Sequence, residues 1–309
     1  MISIACNEMK KGKNNHGEEI IHDEYQYLNL IKQINQYGEI IEGRNGKTKT
    51  VIGSIMHFSL KNNIVPILTT KKVAWKTCLK ELLWFISGKT DNKILKEQNV
   101  KIWNDNGSRD FLDSRGLKNL EVDDLGPVYG HQWRHFNAKY SSCEEDYNGK
   151  GVDQLQNIID KLKDPKKRSC RRLVMSAWNP CQLDEMALPP CHVLVQFNVI
   201  NEYLYCSLYQ RSGDVGLGVP FNIASYSLLT HILAHHCGLK AGELLYTLGN
   251  SHIYDDHLEP LNEQTKRVPY NFPKLNIKNM HNNINDYKID DFEIQDYNYH
   301  EIIKMEMRK

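Results

Sequence analysis

Apolar and polar positions alternate along this chain in two distinct rhythms, and each rhythm marks out its own elements. The stretch EYQYLNLIKQINQYGE, opening at Glu24, sets Tyr27, Leu30, Ile31 and Ile34 at helical spacing. KKVAWKTCLKELLWFISG (71–88) reads as an amphipathic helix ending at Gly88, and VDQLQNIIDKLKDP (152–165) as one stopped by Pro165. A long helical pattern fills PFNIASYSLLTHILAHHCGL (220–239) and closes at Gly238. Branched and aromatic residues predict strands in VIGSIMHFSL (51–60), RRLVMSAWNP (171–180), CHVLVQFNVI (191–200) and YLYCSLYQRS (203–212). Between these, EGRNGKTKT (42–50) breaks the first helix with two glycines, and DLGPVYGHQWRHF reads as a loop loaded with aromatic and polar groups. Past Pro260 the text turns Asn- and Asp-rich, with short strand-like pieces such as KLNIKN. No internal repeat or low-complexity linker interrupts the chain. The pattern predicts a single mixed α and β domain over 23–309, after a polar, unpatterned and mobile lead-in over 1–22.

Composition narrows the class. With 309 residues, 40% hydrophobic and 25% charged, the chain resembles ordinary globular proteins and can bury a large core. Its 39 basic and 38 acidic side chains nearly cancel. That argues against a protein that coats nucleic acid, while leaving room for a local phosphate pocket. No apolar run approaches the length of a membrane span, and the N-terminus lacks the apolar core of a secretory signal. Eight cysteines show no CxxC pair and no metal-ligand spacing, as expected of reduced thiols in an intracellular protein. The expected compartment is cytoplasmic, with nuclear access left open.

Two stretches carry chemistry. In LPPCH (188–192) two prolines fix the backbone ahead of Cys191, which then opens a strand-like run. A thiol attacks only as thiolate, and nearby cations favour that form; Arg171, Arg172 and Arg211 are the candidates. A buried structural cysteine fits this string equally well. QRSGDVGLGVPFN (210–222) packs Gln210, Arg211, Ser212, Asp214, three glycines and Asn222 between a strand and a helix. Arg211 and Ser212 suit a phosphate, and the Asn222 amide suits the carbonyl and ring N–H of a uracil edge. The alternative is an ordinary loop with solvated charges. On spacing alone Glu81 falls on a solvated helix face, Tyr129 and Trp133 read as core aromatics, and Arg171 and Arg172 as surface charges. His231 and His235 have metal-ligand spacing but no third ligand, so they read as a structural pair, and no metal is expected.

Taken together, LPPCH, QRSGDVGLGVPFNIASY, DLGPVYGHQWRHF, ELLWFISG, KIWNDNGSRDFLDS and the closing IIKMEM resemble the thymidylate synthase family, in its eukaryotic, folate-dependent form. The match runs from about Tyr25 to Met307. No reductase domain precedes it, so the monofunctional form is expected. The resemblance implies an α+β (α/β) fold, a mixed twisted sheet flanked by helices, and a homodimer meeting sheet to sheet. It implies reductive methylation of dUMP to dTMP, with 5,10-methylenetetrahydrofolate as co-substrate giving dihydrofolate and Cys191 adding to carbon 6 of the pyrimidine. Glu81, Tyr129, His192 and Asn222 match the residues that hold the water carrying the proton traffic. Arg44, Arg211, Ser212 and, from the other subunit, Arg171 and Arg172 match the phosphate grip; Gln210 and Asp214 belong to the same nucleotide-binding stretch, and His252 and Tyr254 match the sugar site. Asp214 also matches the pterin-binding carboxylate, beside Ile102, Trp103, Asn106, Leu217, Gly218 and Phe221. The tail around Met307 matches a lid.

Several positions depart from the family's pattern: Ala74, Asn104, Asn250, Ser251, the acidic pair Asp255 and Asp256, and the basic end Arg308 and Lys309. Two other activities share the motifs. A pyrimidine hydroxymethylase would use the same nucleophile, but Asn222 favours uracil over cytosine and Trp103 favours a shielded intermediate. An RNA-binding relative that has kept the fold is disfavoured by the balanced charge.

Overall fold

The computed structural model describes residues 11–13, 19–43 and 46–308. Strands β1 (Lys11–Lys13) and β2 (Glu19–Ile21) pair antiparallel within the segment expected to be an unpatterned lead-in. Helix α1 (Glu24–Tyr37) buries Tyr27, Leu28, Leu30, Ile31 and Ile34, the stripe its spacing dictates. It stops at Gly38, where any side chain would press to 2.6 Å from the Ile34 carbonyl oxygen. The polar stretch that follows is more than a breaker. It forms the two arms of a hairpin, β3 (Glu39–Gly43) and β4 (Gly46–Ser59), in which Thr48 and Thr50 pair with Ile41 and Glu39.

Helix α2 (Trp75–Ile86) starts later than its pattern predicts, because Lys71 to Ala74 are drawn out to meet the core. Short helices α3 (Lys93–Glu97), α4 (Arg109–Ser114) and α5 (Tyr129–His135) follow, the last replacing most of the loop expected around Tyr129. Gly126 makes that entry possible: its φ is +73°, and a Cβ there would lie 2.1 Å from the Glu185 carbonyl oxygen. After α6 (Gln154–Lys163) come β5 (Val174–Ser176), shorter than expected, β6 (His192–Ile200) and β7 (Tyr203–Asp214). Asn201 and Glu202, with φ of 48° and 68°, turn β6 into β7 as a tight hairpin. Helix α7 (Gly218–His236) leads into β8 (Lys240–Tyr254), a long strand that the sequence pattern did not disclose. Helix α8 (Leu258–Gln264) and the antiparallel pair β9 (Lys274–Ile277) and β10 (Phe292–Gln295) complete the chain.

The main sheet has strand order β3-β4-β8-β7-β6-β5, antiparallel except for β7 and β8. A parallel pair needs a crossover, and α7 supplies it. Being apolar almost all round, α7 is buried between the sheet and α2. Register gives the sheet two unlike faces. Met56, Tyr246, Leu208, Val195 and Met175 form one buried row across five strands. One residue along, Ile55, Thr247, Tyr209 and Leu194 form a row on the opposite face, where Ile55, Tyr209 and Leu194 are exposed.

Candidate active site

The start of β6 and the end of β7 lie side by side, His192 opposite Gln210. This pairing brings the two chemistry-bearing strings together. The backbone N–H of Arg211 donates to the Cys191 carbonyl at 2.9 Å. The Arg211 side chain doubles back on the prolines: Nε donates to the Pro190 carbonyl at 2.8 Å and Nη2 to that of Pro189 at 2.9 Å. Its guanidinium also sits 5.6 Å from the Trp178 ring centroid. A proline cannot donate, but its carbonyl accepts, so the Pro-Pro pair anchors the cation beside the nucleophile.

Cys191 is partly exposed, and its backbone N–H donates to the Tyr129 hydroxyl at 2.8 Å. Burial pushes its thiol up, while the charge of Arg211 pulls it down. Of the three candidate arginines, Arg211 bears on the thiol as expected of a nearby cation. Among the described residues Arg211 is the cation that acts on it, and desolvation outweighs that charge. Arg171 and Arg172 are exposed just ahead of β5. β5 runs antiparallel to β6, Val174 opposite Gln196, and Gln196 Nε2 donates to the Arg171 carbonyl at 3.0 Å. They therefore stand near the far end of β6, about 20 Å along the strand from Cys191. Arg44 lies outside the described residues.

A directed chain of hydrogen bonds runs behind the thiol. Tyr246 donates to Gln210 Oε1 at 2.7 Å, Gln210 Nε2 to Asn222 Oδ1 at 2.9 Å, and Asn222 Nδ2 approaches His192 Nε2 at 2.7 Å. Gln210 Nε2 also donates to the Ser212 carbonyl at 2.9 Å, which holds the loop that follows. Burial lowers His192 to about 4, so its imidazole is neutral and Nε2 accepts. Tyr246 was missed from sequence, because its strand was missed.

Glu81 does not face solvent. It is 9% exposed and accepts from Trp103 Nε1 at 2.7 Å. Burial raises its carboxyl to about 7, partly offset by that hydrogen bond. Tyr129 is also buried, its ring 6.1 Å from that of Trp103 and 5.1 Å from that of His192, and its hydroxyl is raised chiefly by burial. A carboxyl raised toward neutrality by burial, a neutral imidazole and an oriented amide are the kind of groups that proton transfer uses.

Beyond them, Asp214 ends β7 and turns the chain into α7, accepting from the Gly216 and Leu217 amides at 2.8 and 3.3 Å. Tyr27 fixes this turn by donating to the Val215 carbonyl at 2.8 Å, and Lys71 by donating to that of Gly216. Tyr27 was read from sequence only as part of the apolar stripe of α1, and Lys71 was not singled out. The burial of Lys71 and the carbonyl partners of both are visible only in the fold. Gly218 starts α7 at its N-terminus, and Phe221 is partly buried one turn on. Ile102 and Asn106 are partly buried beside Trp103 in the chain. His252 is held through Nδ1 at 2.9 Å from Asn250 Oδ1, and its ring is 5.5 Å from that of Tyr254. In the tail Met307 is 56% exposed, while Met305 packs against the core. His231 and His235 each bond a backbone carbonyl, of Ile64 at 2.8 Å and Asn279 at 3.1 Å, as structural histidines do.

The sequence profile described as thymidylate synthase matches residues 25–309. The chain belongs to the thymidylate synthase family. Human thymidylate synthase is 55% identical over 93% of this chain and 91% of its own length. The yeast (Saccharomyces cerevisiae) thymidylate synthase is 50% identical over 92% of this chain and 97% of its own. The bifunctional dihydrofolate reductase-thymidylate synthase of Plasmodium berghei is 50% identical over 93% of this chain, which spans 48% of that longer protein. Like other thymidylate synthases, this family member is a methyltransferase that forms dTMP from dUMP. No helix among the described residues is long and apolar enough to cross a membrane, and no metal-binding group of His, Cys, Asp or Glu is found among them.

Proposed function

We propose that Cys191 is the nucleophile of this methylation and that 5,10-methylenetetrahydrofolate is the co-substrate. The observation that carries the assignment is Arg211, tied to both proline carbonyls so that a phosphate-seeking cation and the thiol belong to one rigid unit. Two of its five N–H donors are used in that tie, which leaves others for a nucleotide phosphate together with Ser212. Sulfur adds to carbon 6 of the pyrimidine, and the electron pair released at carbon 5 takes up the one-carbon unit. Asn222 reads the uracil edge and stabilises the charge developing at carbon 4. Glu81, with Tyr129 and His192, carries the proton leaving carbon 5. His252 and Tyr254 hold the sugar hydroxyl.

Asp214 offers a carboxylate already organised by two backbone amides and still 21% exposed, fitting the N–H groups of a pterin. Trp103, Ile102, Asn106, Leu217, Gly218 and Phe221 wall that site, and the tail through Met307 covers it. The folate supplies the one-carbon unit and the hydride. Loss of the carbon 5 proton breaks the bond from that unit to the folate nitrogen. Hydride arriving at the resulting methylene expels the Cys191 thiolate from carbon 6, leaving dTMP and dihydrofolate.

The active form is a homodimer. The open sheet face carries Ile55, Tyr209, Leu194 and Val174 in adjoining rows, an apolar surface that a second copy would cover. Arg171 and Arg172, remote from their own Cys191, would then complete the partner's phosphate grip, with Arg44 joining from its own chain. The balanced charge does not support an RNA-binding role. Cys78, Cys143, Cys170, Cys181, Cys191, Cys206 and Cys237 are all free, which supports a reducing compartment such as the cytoplasm.

Incubation with 5-fluoro-dUMP and methylenetetrahydrofolate tests the core of this assignment. Intact mass is expected to rise by both molecules together, and Cys191→Ala to abolish the rise. An adduct that survives in that variant would displace Cys191.

A further inference from the structure

We infer that Arg308 is a positioning residue: it clasps the C-terminal tail to the turn Asp255–His257 and thereby sets the affinity for the reduced folate. The inference rests on the reading above that the tail lies over the folate site. Arg308 Nη2 lies 2.8 Å from Asp256 Oδ1 and 3.2 Å from Asp255 Oδ1. Its guanidinium also stands 5.9 Å from the centroid of the Tyr254 ring, the aromatic assigned to the sugar.

Two residues earlier, the Glu306 carbonyl lies 2.8 Å from Nε2 of the fully buried His257. The other ring nitrogen of His257 is 3.9 Å from Asp214 Oδ1, the carboxylate assigned to the pterin. Met305 Sδ fills the space over Gly216, 3.4 Å from where a Cβ there would sit. Upstream, Arg267 Nη1 donates to the Glu301 carbonyl at 2.7 Å. The tail is thus fastened in order at Arg267, at the folate loop by Gly216, and at the turn Asp255–His257.

Apolar burial does not explain the last of these fastenings. Glu306, Met307 and Arg308 are all exposed, and chain ends with so little buried surface ordinarily fray. What holds Arg308 is charge and stacking. A lone exposed ion pair contributes little, but one guanidinium shared by two carboxylates and an aromatic face is a network with a defined geometry. The pairing also explains two departures from the family's pattern together. The acids after Tyr254 would repel a nucleotide phosphate if left alone, and a basic end would weaken an apolar lid. Paired, the departures neutralise one another and draw the tail shut.

Trimming with carboxypeptidase B, which removes C-terminal Lys and Arg, tests the clasp without any ligand. In the intact protein at low salt, intact mass is expected to show slow loss of Arg308 once Lys309 has been removed. Asp255→Asn/Asp256→Asn leaves the tail sequence unchanged and is expected to speed the second cut about five- to tenfold, as is salt near 0.5 M. The same double variant and Arg308→Ala should raise KM for methylenetetrahydrofolate about three- to tenfold while kcat falls less than twofold. Exchanging the charges, Asp256→Arg with Arg308→Asp, should recover most of that KM.

Equal trimming with and without the acids would overturn the inference, as would an unmoved folate KM or an exchange that restores nothing. A wild-type protein that forms no adduct with the folate would overturn the folate reading and this inference with it. That failure is distinguishable, because trimming requires no ligand.

Discussion

Gln210 donates through Nε2 to Asn222 Oδ1 at 2.9 Å, and that bond decides which way round the Asn222 amide faces. Tyr246, donating to Gln210 Oε1, fixes Gln210 in turn, and the neutral His192 accepts at the far end. Asn222 is left with one free lone pair and one free proton, the complement of a uracil carbonyl and its neighbouring N–H. A rotated amide would present the reverse pattern, which suits cytosine.

Gln210→Leu removes the donor that orients Asn222 and is expected to raise KM for dUMP about tenfold, about 1.4 kcal/mol. The preference for dUMP over dCMP in kcat/KM should narrow by a similar factor. Steady-state kinetics with both nucleotides measure it. Unchanged discrimination would mean that Asn222 orients itself.

Glu81 acts as a base only when ionised, and burial holds its carboxyl at about 7. Activity limited by this group should therefore rise as pH increases through about 7. The Trp103 hydrogen bond stabilises the carboxylate, so Trp103→Phe should move that limb of the kcat/KM profile to higher pH. Glu81→Gln should remove the limb and lower kcat by about 10²- to 10⁴-fold. A limb that stays in place in Glu81→Gln belongs to another group.

Arg211 is the charge that favours the Cys191 thiolate against burial. Arg211→Ala should shift the midpoint of Cys191 alkylation by iodoacetamide to higher pH, beyond the free-thiol value of about 8.5. Peptide mass spectrometry at each pH follows Cys191 separately from the other thiols. A midpoint that does not move upward would show that Arg211 contributes no charge to the site.

A dimer with shared sites, as proposed, predicts complementation. Cys191→Ala and Arg172→Ala should each be nearly inactive, and mixing them should recover up to about a quarter of wild-type activity, because a hybrid of paired subunits holds one intact site. Verified subunit exchange without recovery would place Arg172 outside the phosphate grip.

Legibility from sequence followed locality. Helix α1 could be read because Tyr27, Leu30, Ile31 and Ile34 repeat within a few turns, and β6 and β7 because branched and aromatic residues crowd them. Strand β8 could not. It is broken by Gly242 and Gly249, and it exists because β4 and β7 flank it. Glu81 was misplaced by spacing for a related reason: α2 has two covered sides, so an acid off the main apolar stripe is buried as well. The catalytic strings were legible as a family resemblance, while their separate residues supported bland readings equally well.

The sequence by itself determined which residue types are present, the helical and strand rhythms, and the family, since each is written within short continuous stretches. Tertiary structure alone decided the states of the groups. Glu81 titrates near 7, the thiol of Cys191 is raised rather than lowered, Asn222 faces one way, and Arg308 meets Asp255 and Asp256. Each depends on desolvation or on a partner far along the chain, and such effects arise only when folding has removed water and closed the distance.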